Sequence, residues 1–165
     1  MMQKIDNQLI EEILKKARAS PRKRALHCLH KPDSNIQIMI NACLQDTYVT
    51  PHKHENPDKK EIFCVLRGKG AIIIFDDSGK IKEKTILEEG GTVKAAVIPP
   101  RTWHSLVILS PEAVFFELLE GRYDPQTHKQ FAPWAPTEEN KEEAKKYLQK
   151  LKEQIRGLKN EMRDM

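Results

Sequence analysis

Cysteine pairs, long apolar runs and charge of a single sign are all missing from this chain, and each absence closes off a class of protein. The three cysteines, Cys28, Cys43 and Cys64, form no CxxC pair and no dense cluster. That excludes a disulfide framework and a thiolate zinc knuckle and leaves reduced thiols. No apolar stretch approaches the roughly 20 residues that span a bilayer. The opening residues, MMQKIDNQLIEEILKKARAS, interleave acids and bases with their apolar positions, unlike the apolar core of a secretory signal. A cytoplasmic protein without a membrane partner is expected. Lys and Arg number 28 against 24 Asp and Glu, a net charge of +4, and the interspersed signs read as solubility. The one basic run, Arg22 to Arg24 with His27 and His30, lacks the interleaved aromatics of a single-strand binder, so no nucleic-acid partner is expected.

What is present is β pattern. At 165 residues the chain supports one domain with a real core. Residues 1–19 carry Ile5, Leu9, Ile10, Ile13, Leu14 and Ala17 at helical spacing before Ser20-Pro21 ends the pattern, which predicts a short amphipathic helix. Lys31-Pro32-Asp33-Ser34 then marks a turn-rich boundary. Short β-branched segments follow at Ile36–Leu44, Thr47–His54, Glu61–Leu66, Ala71–Phe75, Lys80–Leu87, Val93–Ile98, Ser105–Leu109 and Ala113–Leu118, parted by turn signals such as Asp76-Asp77-Ser78-Gly79 and Gly90-Gly91. Many short strands without helices between them predict a mainly β sandwich or barrel. The loop Glu120 to Pro136, rich in aromatics and proline, completes this barrel segment over 20–136. Residues 137–165 predict a long charged helix opening with Thr137 as N-cap. In it Ala144, Leu148, Leu151, Ile155, Leu158, Met162 and Met165 form a heptad seam. That seam either joins two subunits as a homodimer or lies on the barrel.

Four residues carry the chemistry. His52 and His54 are two apart, so in an extended strand they face the same way and grip one ion from one wall. Glu61 shares a face with Phe63 and Val65, whereas Cys64 faces the other way and is no ligand candidate; His104 opens the wall of Leu106 and Ile108. Singly, an HxH is usually a surface pair, Glu61 a partner for Lys59 or Lys60, and His104 a core histidine. Together and in this order, with Gly68 seven residues after Glu61 and Pro99 five before His104, they predict a four-ligand metal site. Imidazoles plus one carboxylate suit one divalent transition metal: zinc, iron, manganese, nickel or copper.

These segments resemble a family. Pro51-His52-Lys53-His54, Glu61 to Gly68 and Pro99 to His104 look like the two motifs of cupins. There, two His and a Glu of the first motif and a His of the second hold one metal inside a double-stranded β-helix. Six residues separate His54 from Glu61, more than cupins usually have, and Arg101 stands where the second motif commonly has Gly. The flanks sharpen the resemblance to the WbuC family of cupin-fold metalloproteins. They include Ser20-Pro21-Arg22-Lys23-Arg24, His27 and His30, Tyr48, Leu66-Arg67-Gly68, Trp103-His104, Glu117, Gly121-Arg122-Tyr123, Lys129 and Phe131 to Pro136. The resemblance covers about Ser20 to Glu138 and implies a jelly-roll cupin barrel with a metal, a place for Arg24 and His30 at the pocket, and a tie to bacterial surface polysaccharide.

Around the metal, the loop Glu120 to Pro136 offers Arg122, Tyr123, His128, Lys129, Phe131 and Trp134. Either they line the mouth of the barrel and meet a sugar or anion by stacking and charge, or Phe131 and Trp134 merely plug it. Tyr123 and Lys129 are candidates for proton transfer, and Glu117 is a general base, an orienting partner for a ligand histidine, or one half of a salt bridge with Arg101 or Arg122. Arg24, His30, Arg101, Phe131 and Trp134 are the expected substrate contacts. The function expected is a metal-dependent isomerase, epimerase or lyase acting on a small sugar or sugar acid. An iron-dependent dioxygenase and a non-catalytic sugar- or anion-binding module are the alternatives.

Overall fold

The computed structural model describes residues 1–161, and side chains as far as residue 157. In chain order the elements are α1 (Asn7–Ala19), β1 (Arg24–Cys28), β2 (Ile36–Leu44), β3 (His52–Lys53), β4 (Glu61–Arg67), β5 (Lys69–Phe75), β6 (Ile81–Glu88), β7 (Ala95–Ile98), β8 (His104–Ile108), β9 (Glu112–Glu120), β10 (Gln130–Phe131) and α2 (Lys141–Glu161). The strands make two antiparallel five-stranded sheets, ordered β1-β2-β9-β4-β7 and β10-β3-β8-β5-β6. Two facing sheets of this kind form the jelly-roll barrel of a double-stranded β-helix.

Alternation along the strands sends one set of side chains into the barrel. Phe63, Ile72, Leu106, Ile108 and Phe115 pack there with Cys43, Leu87 and Ile98. The other set meets a helix on each outer face. Helix α1 lays Ile10, Ile13, Leu14 and Ala17 on Ile40, Ala42 and Val114 of the first sheet. Helix α2 lays Ala144, Leu148, Leu151 and Ile155 on Ile73, Phe75, Trp103 and Val107 of the second. All five residues of β8 are buried as a result. The described half of the heptad seam therefore lies on the barrel; Met162 and Met165, and the side chain of Leu158, fall outside the described residues.

Several boundaries differ from the pattern-based expectation. The strand expected over Thr47–His54 keeps a ladder only at His52–Lys53. β1 and β10 were not expected at all: β1 hides in the basic run, where it pairs along all of its length with β2, and β10 sits in the aromatic loop, paired to β3. Helix α2 starts later than predicted. Asn140, not Thr137, caps it, its side-chain oxygen accepting from Glu143 N–H at 3.4 Å and its carbonyl from Ala144 N–H at 2.9 Å. At the β4–β5 turn Gly68 has φ +73°, and a Cβ there would run into the carbonyl oxygen of Glu112.

Leu151, 2% exposed between α2 and the second sheet, reports how firmly that helix is docked. Leu151→Ala should lower the unfolding free energy by about 2–5 kcal/mol, the cost of deleting a buried leucine. A loss below about 1 kcal/mol in chemical denaturation would mean that the helix does not pack as described.

Candidate metal centre

The register of the second sheet sets up the site. β3 and β8 meet at a single ladder pair, His52 opposite His104, and His54 follows two residues on. Glu61, the first residue of β4, arrives from the facing sheet between Leu119 and Ile98. His52, His54, Glu61 and His104 are all at most 3% exposed, and each offers a ligand atom within 4.8 Å of the other three. Cys64, of opposite parity on β4, is not part of the group.

Each imidazole is aimed by its backbone contact. Nδ1 of His52 donates to the carbonyl of Thr50 at 2.9 Å, Nδ1 of His104 to Thr102 at 2.8 Å, and Nδ1 of His54 to His128 at 2.7 Å. With Nδ1 carrying the proton, Nε2 of each neutral ring is a lone pair directed inward. Nε2 of His104 and His54 lie 2.7 and 3.2 Å from one oxygen of Glu61, and Nε2 of His52 is buried with no partner. A lone pair facing a carboxylate, and another facing nothing, are costly in a dry interior. The donor set fits a divalent ion shared by three nitrogens and one oxygen, a set open to further ligands. Burial pushes the His52 imidazole well below its ordinary pKa, helped by the charge of Lys129.

Beside the tetrad lies a cavity of about 430 Å³, with Arg24, Asn41, Glu117, His128, Lys129 and Phe131 in its wall. Glu117 stands on β9 opposite Phe63 of β4 and Met39 of β2. It accepts from the Asn41 amide at 3.4 Å and feels the charge of Glu61. Burial first, and the charge of Glu61 second, push its carboxyl well above the usual range. It forms no salt bridge with Arg101 or Arg122, which are engaged with Asp58 and Asn35.

Arg24 reaches the cavity but is held by the Tyr48 carbonyl at 2.8 Å and by Glu138 at 2.9 Å. Tyr123 and Phe131, both more than half exposed, form part of the rim, with Tyr123 packed edge-on to His128 at 4.9 Å. Three expected substrate contacts lie elsewhere. Nδ1 of His30 accepts from Ile38 N–H in the β1–β2 hairpin. Trp134 packs on Phe75 and Trp103 on the outer face of the second sheet, against Gly79. Arg101 has φ +60° and its guanidinium turns outward to Asp58 at 2.9 Å. The left-handed backbone accounts for the glycine common at that position in cupins, and the outward side chain for its distance from the cavity. Asn41 and Glu138 are cavity residues that pattern reading missed. Parity alone would have found Asn41, which shares the inner face of β2 with Met39 and Cys43.

The rim loop is tied down twice, once by Lys59 in the long stretch between His54 and Glu61 and once by His54 itself. Lys59, 2% exposed, donates to the carbonyl of Arg122 at 2.6 Å, and His54 donates to that of His128. Gly121, at φ +77°, lets the loop pass over the Lys59 stem, where a Cβ would come within 3.0 Å of Cε.

A search of curated proteins found no match. A family model described as a domain of unknown function, DUF6016, matches residues 5–87. The chain belongs to the DUF6016 family. That match takes in His52, His54 and Glu61 and ends before His104 and Glu117. Among solved structures, CapF, the capsular polysaccharide assembling protein of Staphylococcus aureus, aligns at 20% identity over 68% of this chain with a TM-score of 0.58. The chain spans 32% of CapF. KdgF from Halomonas sp. aligns at 26% identity over 65% of this chain and 86% of its own, with a TM-score of 0.50. A Klebsiella pneumoniae protein with a double-stranded β-helix domain aligns at 14% identity over 79% of this chain and 98% of its own, with a TM-score of 0.56. This DUF6016 member has the cupin fold.

Two measurements follow for this DUF6016 protein. Lys59→Met keeps the stem against Gly121 but removes the donor to Arg122, and should cost about 1–3 kcal/mol for the stranded carbonyl. Limited proteolysis should then cut within 121–131 faster than in wild type; an unchanged cleavage rate there would refute the tie. His128 is the second case. Burial, with the charge of Lys129, lowers its pKa from 6.5 to about 4. The unfolded chain therefore binds more protons than the folded one in this range, so the stability contributed by neutral His128 is complete above 6.5 and is lost as pH falls towards 4. Urea unfolding of wild type against His128→Asn should show the wild type losing more stability across that window.

Proposed function

We propose that this protein is a WbuC-like metal-dependent enzyme acting on a small sugar or sugar acid, with isomerisation, epimerisation or elimination as the reaction. The observation that carries the reading is the position of the buried His-His-Glu-His group beside a cavity whose wall also bears Glu117, a carboxyl able to exchange a proton. His52, His54, Glu61 and His104 would hold a divalent ion, which would supply Lewis-acid chemistry towards a carbonyl and the carbon beside it. The chain's own groups do the rest. Glu117 and Tyr123 are the proton carriers, one deep and one at the rim, and Phe131 offers a face on which a sugar ring stacks. The His54–His128 bond fixes a ligand ring and the cavity rim together. The resemblance to the WbuC family points the substrate towards surface polysaccharide metabolism.

Elemental analysis of protein purified without added metal tests this first. Wild type should carry a transition metal, and the double variant His52→Ala/His104→Ala should lose it, along with any turnover of sugar acids, while keeping its β-rich circular dichroism. A double variant that retains the metal would sink the proposal, and a metal-loaded wild type that binds sugars without product would mark a binding module instead.

A further inference from the structure

The cavity wall has three cationic side chains, Arg22, Arg24 and Lys129, and two carboxylic ones, Glu117 and Glu138. Glu138 takes both arginines, Arg22 at 2.7 Å and Arg24 at 2.9 Å. Lys129 differs from them. Among the described residues its ammonium has neither an ion-pair nor a hydrogen-bond partner, and the side chain is half-buried. β10 pairs Phe131 with His52 and Gln130 with Lys53, and Lys129, the residue just before β10, lines the same cavity wall as Phe131. Its charge is felt at His52, His128 and Glu117. A half-buried ammonium left without a counter-ion beside a metal centre is a poor device for stability and a good one for receiving an anion.

We propose that the cavity selects a substrate bearing a carboxylate over its neutral counterpart, and that Lys129 receives that carboxylate while hydroxyl or carbonyl oxygens of the same molecule face the tetrad. The inference rests on the tetrad being a metal centre. The charge balance does not depend on the protonation of Glu117: even with that group ionised, a divalent ion against Glu61 and the wall charges leave the site net positive. A cavity of about 430 Å³ sits at the lower end of the range of about 300–1,000 Å³ for small-molecule sites, which suits one monosaccharide acid and not a polymer. Lys129 is thus a binding residue that sets specificity, and proton transfer falls to Glu117 and Tyr123.

Galacturonate and galactose, which differ at one carboxylate, are suitable probes. Calorimetric titration of zinc-loaded protein should give galacturonate at least roughly tenfold tighter than galactose, the scale of one charge-assisted hydrogen bond. Lys129→Met should bring the two sugars to near parity by weakening galacturonate alone, and Lys129→Arg should keep most of the preference. Equal affinity in wild type, no binding of galacturonate, or a preference that survives in Lys129→Met overturns the assignment. Zinc content is measured on the same samples. Failure of the metal reading shows as protein that does not take up zinc, whereas failure of the Lys129 assignment shows with zinc in place.

Discussion

Three hydrogen bonds from imidazole Nδ1 to main-chain carbonyls hold the organisation of this molecule together. The carbonyls of Thr50, Thr102 and His128 belong to three different segments, the approach to β3, the approach to β8 and the rim loop. Each bond fixes a tautomer and a ring plane at once, so three Nε2 lone pairs converge without any contact among the rings closer than a centroid distance of 4.4 Å. Backbone carbonyls carry no side-chain rotamers of their own, whereas side-chain acceptors in the same places would add rotamers to be frozen. The site is preorganised by the ladder.

That preorganisation depends on the asymmetry of the barrel. One end of the interior is filled by Phe63, Ile72, Leu106, Ile108 and Phe115, and it supplies the packing. The other end is left to polar groups, and burying them there is tolerable only because the sheets cannot open. Helices α1 and α2 brace the two sheets from outside with separate apolar clusters. The second cluster continues into the rim segment, since Trp134 packs on Phe75 and Trp103, and Trp103 is the residue before the ligand His104. The aromatic content of the loop after β9 therefore divides by depth in the sequence: Tyr123 and Phe131 serve the mouth, while Trp134 serves the wall.

The buried His-His-Glu-His group was legible because a strand has a period of two and a buried face, so parity alone separated Glu61 from Cys64 and joined His52 to His54. The same rule would have admitted Asn41. Strand β1 was not legible, because Arg24-Ala25-Leu26-His27-Cys28 has little β-branched character and its charges suggest a solvated run. It becomes a strand through its pairing with β2, and the charges of Arg22 and Arg24 are met by Glu138, more than a hundred residues away in the chain. Pairing at that separation leaves no local trace. His30, Arg101 and Trp134 illustrate the reverse: a position shared with a family pattern says that a residue matters, but a backbone contact, a left-handed turn and a packed wall account for them here.

The long stretch between His54 and Glu61 is where the candidate metal group and the rim of the cavity become one structure. A shorter connection would join the same two ligands, yet it would have no residue in the place of Lys59, whose buried stem runs beneath Gly121 and whose ammonium holds the carbonyl of Arg122. Seven residues further along the rim from Gly121, His54 holds the carbonyl of His128 from the same side. The segment between these ties carries Tyr123, and the residue just after the second tie is Lys129. A bond of 2.7 Å from His54 thus ties the backbone next to Lys129 to the buried His-His-Glu-His group. In this barrel the candidate metal group and the rim of the cavity are joined by a single imidazole.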